Sequence, residues 1–314
     1  MTVSDLPETA INQPAERDYD AELERASELE FATKPRSTLR YAISRFKRNK
    51  IAMLGLVMVV ALVVMAVFAP LITPSKPEEQ LYFDRVSLPP NWEHPLGVDM
   101  LGRDYWSRIA YGSRISLMVG VVATLVSFLI GLPLGALAGM LGGVVDWIVM
   151  RITEVLGTIP SLLVAILILV LLGTGVQNML IAIAITGWIG PARLIRGQVY
   201  SVREEDYVWA AKALGLRNWD IMWQNLIPNS FAPLLISLAT GIPGAIMAEA
   251  GLSFLGIGID PPTPSWGQML SEGLPYLRSY WWLALWPAVM VALSMLGFNF
   301  VADGLRDALD PRAR

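Results

Sequence analysis

Six stretches of this chain are apolar for long enough, or nearly so, to cross a bilayer, and that constrains everything else. A spanning helix needs about 20 mostly apolar residues, because in hydrocarbon only closed backbone hydrogen bonding is tolerable. Residues 51–71, 115–141, 147–172, 176–195, 231–257 and 281–301 meet or approach this requirement. The third is the least clean: Arg151 and Glu154 fall in its first turns, and strictly apolar sequence begins only near Ile159. Charged residues make up 16% of the 314 positions, against about 25% in soluble domains. The expected fold is an all-α polytopic membrane protein with six transmembrane helices.

Basic residues near span ends set orientation. Arg40, Arg45, Lys47, Arg48 and Lys50 crowd the front of the first span, which places the N-terminus inside. Six crossings return the C-terminus to the same side, where Arg306, Arg312 and Arg314 follow the last span. The loop 73–114 fits least well, since an external segment here carries Lys76, Arg85, Arg103, Arg108 and Arg114. Residues 1–36 are polar and acidic, with no apolar signal region, and read as a mobile cytoplasmic tail. Residues 37–72 then hold a basic segment and the first span, 115–303 a five-helix core, 258–280 a further external loop, and 304–314 a cytoplasmic tail. Leu39, Ile43 and Phe46 recur at helical spacing among basic residues. Two readings fit them equally: a helix lying on the inner leaflet, apolar face in membrane lipid, or a plain flanking charge cluster.

Gly131, Gly135 and Gly139 form two overlapping GxxxG units in the second span. Such spacing lets helix backbones approach closely in lipid, so these three are candidates for a packing face. Gly190-Pro191 and Gly241/Pro243/Gly244 are expected to kink the fourth and fifth spans.

Chemistry is sparse. The single histidine, His94, lies in a loop, and there are no cysteines, so disulfides, thiolate sites and histidine triads have no materials. No G-x-x-x-x-G-K-[ST] occurs, so any ATP hydrolysis must belong to another chain. A net charge of −3 gives no reason to expect nucleic acid. Within the spans Glu249 stands out, and the simplest role for it is a carboxylate that hydrogen-bonds a neighbouring helix at an outer gate. Ser253, in "GLSFLG", lacks a histidine base and joins the same candidate gate.

The stretch 203–229, "REEDYVWAAKALGLRNWDIMWQNLIPN", cannot cross a membrane. Glu204, Glu205 and Asp206 place negative charge at the start of a helix beginning near Tyr207, and Gly215 suits a left-handed C-terminal cap. Tyr207, Ala210, Ala211 and Leu214 share one face. Asn218 can cap a second helix that Pro228 stops. Each leg is shorter than about 12 residues, so something must bury it. Trp209, Trp219 and Trp223 suit a membrane surface, whereas the alanine pair favours docking into a protein partner.

"AAKALG", with Pro228 thirteen residues after Gly215, resembles the EAA loop of permease subunits from bacterial ABC importers. Residues 94–117, 251–270 and 303–312 are similar to the dipeptide/oligopeptide/nickel branch of that family, so the resemblance covers most of 41–314. It implies the type I importer permease fold in a bacterial inner membrane, and a pathway shared with a second homologous permease. It further implies two ATPase subunits that bind ATP and Mg, and an external substrate-binding protein. This chain would hold no cofactor or metal and catalyse nothing. By the same resemblance Ala210, Ala211, Leu214, Gly215 and Pro228 would dock on an ATPase, flanked by Glu205, Tyr207 and Trp219. Trp209 stands where the motif has its glutamate. Pro261, Pro264 and Trp266, in a proline-rich external turn, are candidate contacts for the binding protein. Peptides are the expected substrate, with nickel chelates as an alternative. A self-sufficient channel or secondary carrier is the competing class.

Overall fold

Asn49 is where the first helices separate. Its side chain accepts the Ile51 and Ala52 N–H groups, each at 3.1 Å, and so caps one helix just where another ends. The structure, a computed structural model, describes residues 38–79, 86–223, 227 and 230–309. Before the cap runs α1 (Thr38–Arg48) and after it α2 (Lys50–Ile72). Then follow α3 (Tyr105–Leu141), α4 (Gly143–Thr158), α5 (Ser161–Leu172), α6 (Val176–Gly187) and α7 (Ile189–Arg203). Two short helices come next, α8 (Asp206–Ala213) and α9 (Asn218–Ile221), and then α10 (Phe231–Phe254), α11 (Trp266–Gly273) and α12 (Trp282–Leu309). The acidic tail and Pro228 lie outside the described residues.

Among the described residues, five continuous apolar helical stretches are long enough to span: α2, α3, α6 with α7, α10 and α12. The third apolar segment is different. It is split into α4 and α5, which meet at a bend of 85°. Pro160 has no N–H to donate and forces Ile159 out of the helical region, to φ −87° and ψ 127°. With 16 and 12 residues, neither half alone reaches the length a crossing needs; taken together as one broken span, the bent pair brings the number of crossings to six.

Other boundaries also move. α3 begins at Tyr105 rather than 115, because Asp104 caps it by accepting the Ser107 N–H at 2.8 Å. The polar turns from Arg108 to Arg114 are helix beyond the apolar part of the span, not loop. α7 carries the fourth span on to Arg203, and the break falls at Trp188, before Gly190-Pro191. α10 remains one element across Pro243. Within 258–280, α11 folds back against α10 and α12.

The most extensive helix–helix contact among the described residues is between α3 and α7. A Cβ on Gly131 would lie 2.7 Å from the Trp188 carbonyl oxygen, and one on Gly139 2.8 Å from that of Arg196. One on Gly135 would fall on the Ala192 carbonyl oxygen. Three glycines four residues apart thus meet three carbonyls four residues apart, so the two backbones touch along two turns. Below this seam Ala136, Met140, Ile195 and Val199 form a buried cluster with Val208, Ile221 and Met222 of the short helices.

Gly135→Ala should therefore destabilise the purified protein by about 1–3 kcal/mol through forced separation of α3 and α7. Gly197→Ala, on the same α7 with nothing within 4 Å of the new methyl, should be neutral or stabilising by up to about 1 kcal/mol. Thermal unfolding in detergent distinguishes the two.

Candidate functional site

α8 and α9 are held by what they bury, a side that the sequence reading did not single out. Val208, Ile221 and Met222 are buried against α3, α7 and α10, and Ala211 is half-buried beside them. Tyr207, Trp209, Trp219 and Trp223 remain about half exposed, and Leu214 is 81% exposed. Ala210 and Glu205 are exposed as well. The helix pair thus grips its own bundle with one side and presents an aromatic, apolar face outward. Lys212 places its ammonium 4.7 Å from the centre of the Trp209 ring, a cation–π contact. Trp219 and Trp223 meet edge to face.

The turn between them is a Schellman cap. Gly215 takes φ +83°, its N–H donates to the Lys212 carbonyl at 2.9 Å, and the Leu216 N–H donates to Ala211 at 3.2 Å. Glu205 occupies the N-cap position, but its side chain makes no capping bond.

Three arginines tie α7, which leads into this pair, to its neighbours. Arg196 makes a two-pronged pair with Asp146 of α4, both bonds 2.6 Å. Arg193 donates to the Thr153 carbonyl at 2.7 Å. Arg203 donates to the Gly139 carbonyl at the end of α3, at 3.2 Å. α7, which leads into α8, is therefore bonded to both α3 and α4.

At the opposite end of α3 lies a second polar cluster. Glu249 is fully buried and accepts hydroxyl hydrogens from Ser116 of α3 at 3.1 Å and Ser253 at 2.9 Å. Ser116 accepts the Trp266 N–H at 3.1 Å, and the Trp266 indole donates to the Ile109 carbonyl at 3.2 Å. One carboxylate thereby joins α3, α10 and α11. Trp266 is 0% exposed and Pro264 is buried, so neither offers the external contact expected of it; Pro261 is exposed. Trp266 is instead a core residue, because its ring fills the space between α3 and α10. Nearby, Arg103 pairs with Asp99 at 2.6 Å and Arg108 with Glu272 at 3.0 Å. Two of the basic residues that fitted an external loop poorly are thus neutralised within the chain.

Between these ends a cleft of about 540 Å³ opens among α3, α5, α6, α7 and α10. Serine and threonine hydroxyls and glycines line much of it, and its lining contains no ionisable side chain. The sequence reading named Gly190, Pro191, Gly241 and Gly244 only as kink sites and singled out none of the hydroxyls. The available signal was Ser237, Thr240, Gly241 and Gly244 recurring at helical spacing on one face of α10.

A bundle of spanning helices around an uncharged cleft, braced at one end to an exposed amphipathic helix pair, is the architecture of a membrane transport subunit. The chain belongs to the family described as binding-protein-dependent transport system inner membrane component, which it matches over residues 131–314. Residues 37–90 match the N-terminal transmembrane domain of oligopeptide transport permease C. The oligopeptide transport system permease protein OppC of Bacillus subtilis (strain 168) is 39% identical over 314 residues, covering 99% of this chain and 100% of its own. The dipeptide transport system permease protein DppC of the same strain is 43% identical, covering 86% and 84%. The glutathione transport system permease protein GsiD of Shigella flexneri serotype 5b (strain 8401) is 39% identical, covering 86% and 89%. The protein is thus a multi-pass inner-membrane permease component of a transport system.

Replacing Glu249 with Ala should strand the Ser116 and Ser253 hydroxyls and cost about 1–3 kcal/mol. Glu249→Gln keeps an acceptor in nearly the same place and should lose less. Thermal stability of the two variants side by side checks this ordering.

Proposed function

We propose that this chain forms half of the membrane path of an ATP-driven peptide importer and that partner ATPases drive it through α8 and α9. The observation that carries this reading is the divided role of that helix pair. Its Val208, Ile221 and Met222 side is fixed to α3, α7 and α10, while Trp209, Leu214 and Trp219 face outward. A buried anchor beneath an exposed aromatic face is the arrangement of a helix that docks into a groove on another protein. The three arginine contacts of α7 give the docked helices a rigid connection to the cleft.

The complete transporter on this reading holds a second, homologous permease, two ATPases that bind ATP and Mg, and an external binding protein that selects substrate. This chain supplies no cofactor and makes no covalent bond. Both termini face the cytoplasm, which puts α8 and α9 on the ATPase side and α11 on the outer side. Exposed Pro261 remains available to the binding protein. Basic α1 leaves Tyr41 and Ile43 exposed, suited to anionic lipid. The named functions of the relatives, dipeptide, oligopeptide and glutathione transport, support short peptides as cargo.

Vesicles test this directly. Peptide should enter only when the chain is reconstituted with its ATPases, second permease and binding protein, and only with ATP. Flux through this chain alone would make it a channel or secondary carrier instead. In the complete assembly Gly215→Pro should uncouple ATP hydrolysis from uptake, because proline cannot adopt φ +83° and has no N–H for Lys212. Full coupled uptake by that variant would remove α8 from the drive mechanism.

A further inference from the structure

We infer that α1 is a binding site for anionic phospholipid of the inner leaflet, and that lipid bound there clasps α2 to the cytoplasmic end of α12. Of the permease reading above it uses only the cytoplasmic placement of α1. It adds a lipid ligand and the contact through which that ligand acts.

Uncompensated charge is the first observation. Between Glu30 and Glu78 the sequence contains no Asp or Glu, while Arg40, Arg45, Lys47, Arg48 and Lys50 lie in or beside α1. Lys47, Arg48 and Lys50 are exposed and form no ion pair with any described residue. The acids of neighbouring α12 are already engaged: Asp303 pairs with Arg306 at 3.6 Å, and Asp307 accepts from Asn49 at 3.0 Å. Cations of this kind beside a span are drawn to anionic headgroups.

Placement is the second observation. Asn49 alone separates α1 from the span α2, so α1 starts at the depth where hydrocarbon ends. Tyr41 and Ile43 are about half exposed, with Lys47 one helical turn from Ile43. Apolar side chains set among cations suit a helix whose side enters the headgroup boundary. An acidic protein surface would also attract the cations. However, α1 packs on α2 and α12, whereas α8 and α9, the proposed ATPase contact, are seated on α3, α7 and α10.

The other side of α1 forms the clasp. Ala42 is buried and Phe46 half-buried. A Cβ on Gly304 of α12 would lie 2.9 Å from the Phe46 ring and would fall on Ala52 of α2. Of the apolar residues read from the sequence as a lipid-facing set, Phe46 therefore meets α12 instead. Asn49, which caps α2, also donates to Asp307 of α12. α2 buries only Ala52, Gly55, Leu62, Ala66 and Ala69, so one face holds it to the bundle. With 11 residues, α1 is marginal as a free helix. Headgroups and α12 favour the same folded α1, so each strengthens the other.

The full chain in nanodiscs tests this. A nitroxide on a cysteine replacing Ile43 is unique, because the chain has no native cysteine. Exchanging part of the phosphatidylcholine for phosphatidylglycerol should raise the accessibility of the nitroxide to oxygen over a water-soluble quencher. It should also raise the thermal midpoint by several degrees. Lys47→Gln with Arg48→Gln should weaken this lipid dependence about tenfold or more. High salt should do the same to the unmodified chain, which guards against misinsertion of the variant. Phe46→Ala should keep most of the nitroxide response and lose most of the gain in midpoint. Equal accessibility and equal midpoints with and without phosphatidylglycerol would overturn the inference. So would a midpoint raised equally by soluble glycerophosphate, or cover over residue 43 that requires ATPase subunits rather than anionic lipid. No peptide is moved in this experiment, so failure of the complete assembly to import peptide is a separate result that bears on the permease reading alone.

Discussion

The approach of α3 to α7 is the constraint on which the rest depends. In lipid no hydrophobic effect drives helices together, so association rests on close packing and weak backbone contacts. Here the glycines at 131, 135 and 139 bring one backbone onto the carbonyls of Trp188, Ala192 and Arg196. That registry sets the height of α7 against α3. It brings Arg203 to the end of α3, where the Gly139 carbonyl accepts from it, and leaves the cluster beneath the seam to receive Val208 and Ile221. The short helices α8 and α9 are therefore positioned by a feature lying within the span.

Polar groups are distributed by the same logic, and each set has a distinct task. Near α11, Glu249 and three neighbouring helices share one buried network, which holds that end closed upon itself. Near α8 the arginines of α7 bind carbonyls and a carboxylate, stiffening the connection to the short helices. Between them lie hydroxyls without charge.

Much of this was legible in the residues. Length and apolarity disclosed the spans, the GxxxG pattern disclosed the α3 packing face, and Gly215 disclosed its own left-handed cap. What failed did so for identifiable reasons. The third segment looked continuous because hydropathy does not register what Pro160 does to a helix. The start of α3 was placed too late because Arg108 and Arg114 look like loop residues until their surroundings are known; Arg108 is buried against Glu272, 164 positions away. Trp266 read as exposed because a proline-rich turn surrounds it, yet its partners are Ser116 and Ile109, which are distant in sequence. On α8 the face of Tyr207, Ala210 and Leu214, read as the one that docks, is exposed, whereas the buried anchor at Val208 went unread. Periodicity in eight residues is too short to fix which side faces a neighbour.

The central claim is that α3, α7 and α8 move as one body while the cleft opens and closes around them. Distances between spin labels in the complete transporter measure this, using cysteines at exposed Leu141 and Leu214 for the body. A second pair, at Gly190 and Thr240, spans the cleft. Through the ATP cycle the 141–214 distance should stay constant while the 190–240 distance changes. A 141–214 distance that changes as much as the cleft does would contradict the account.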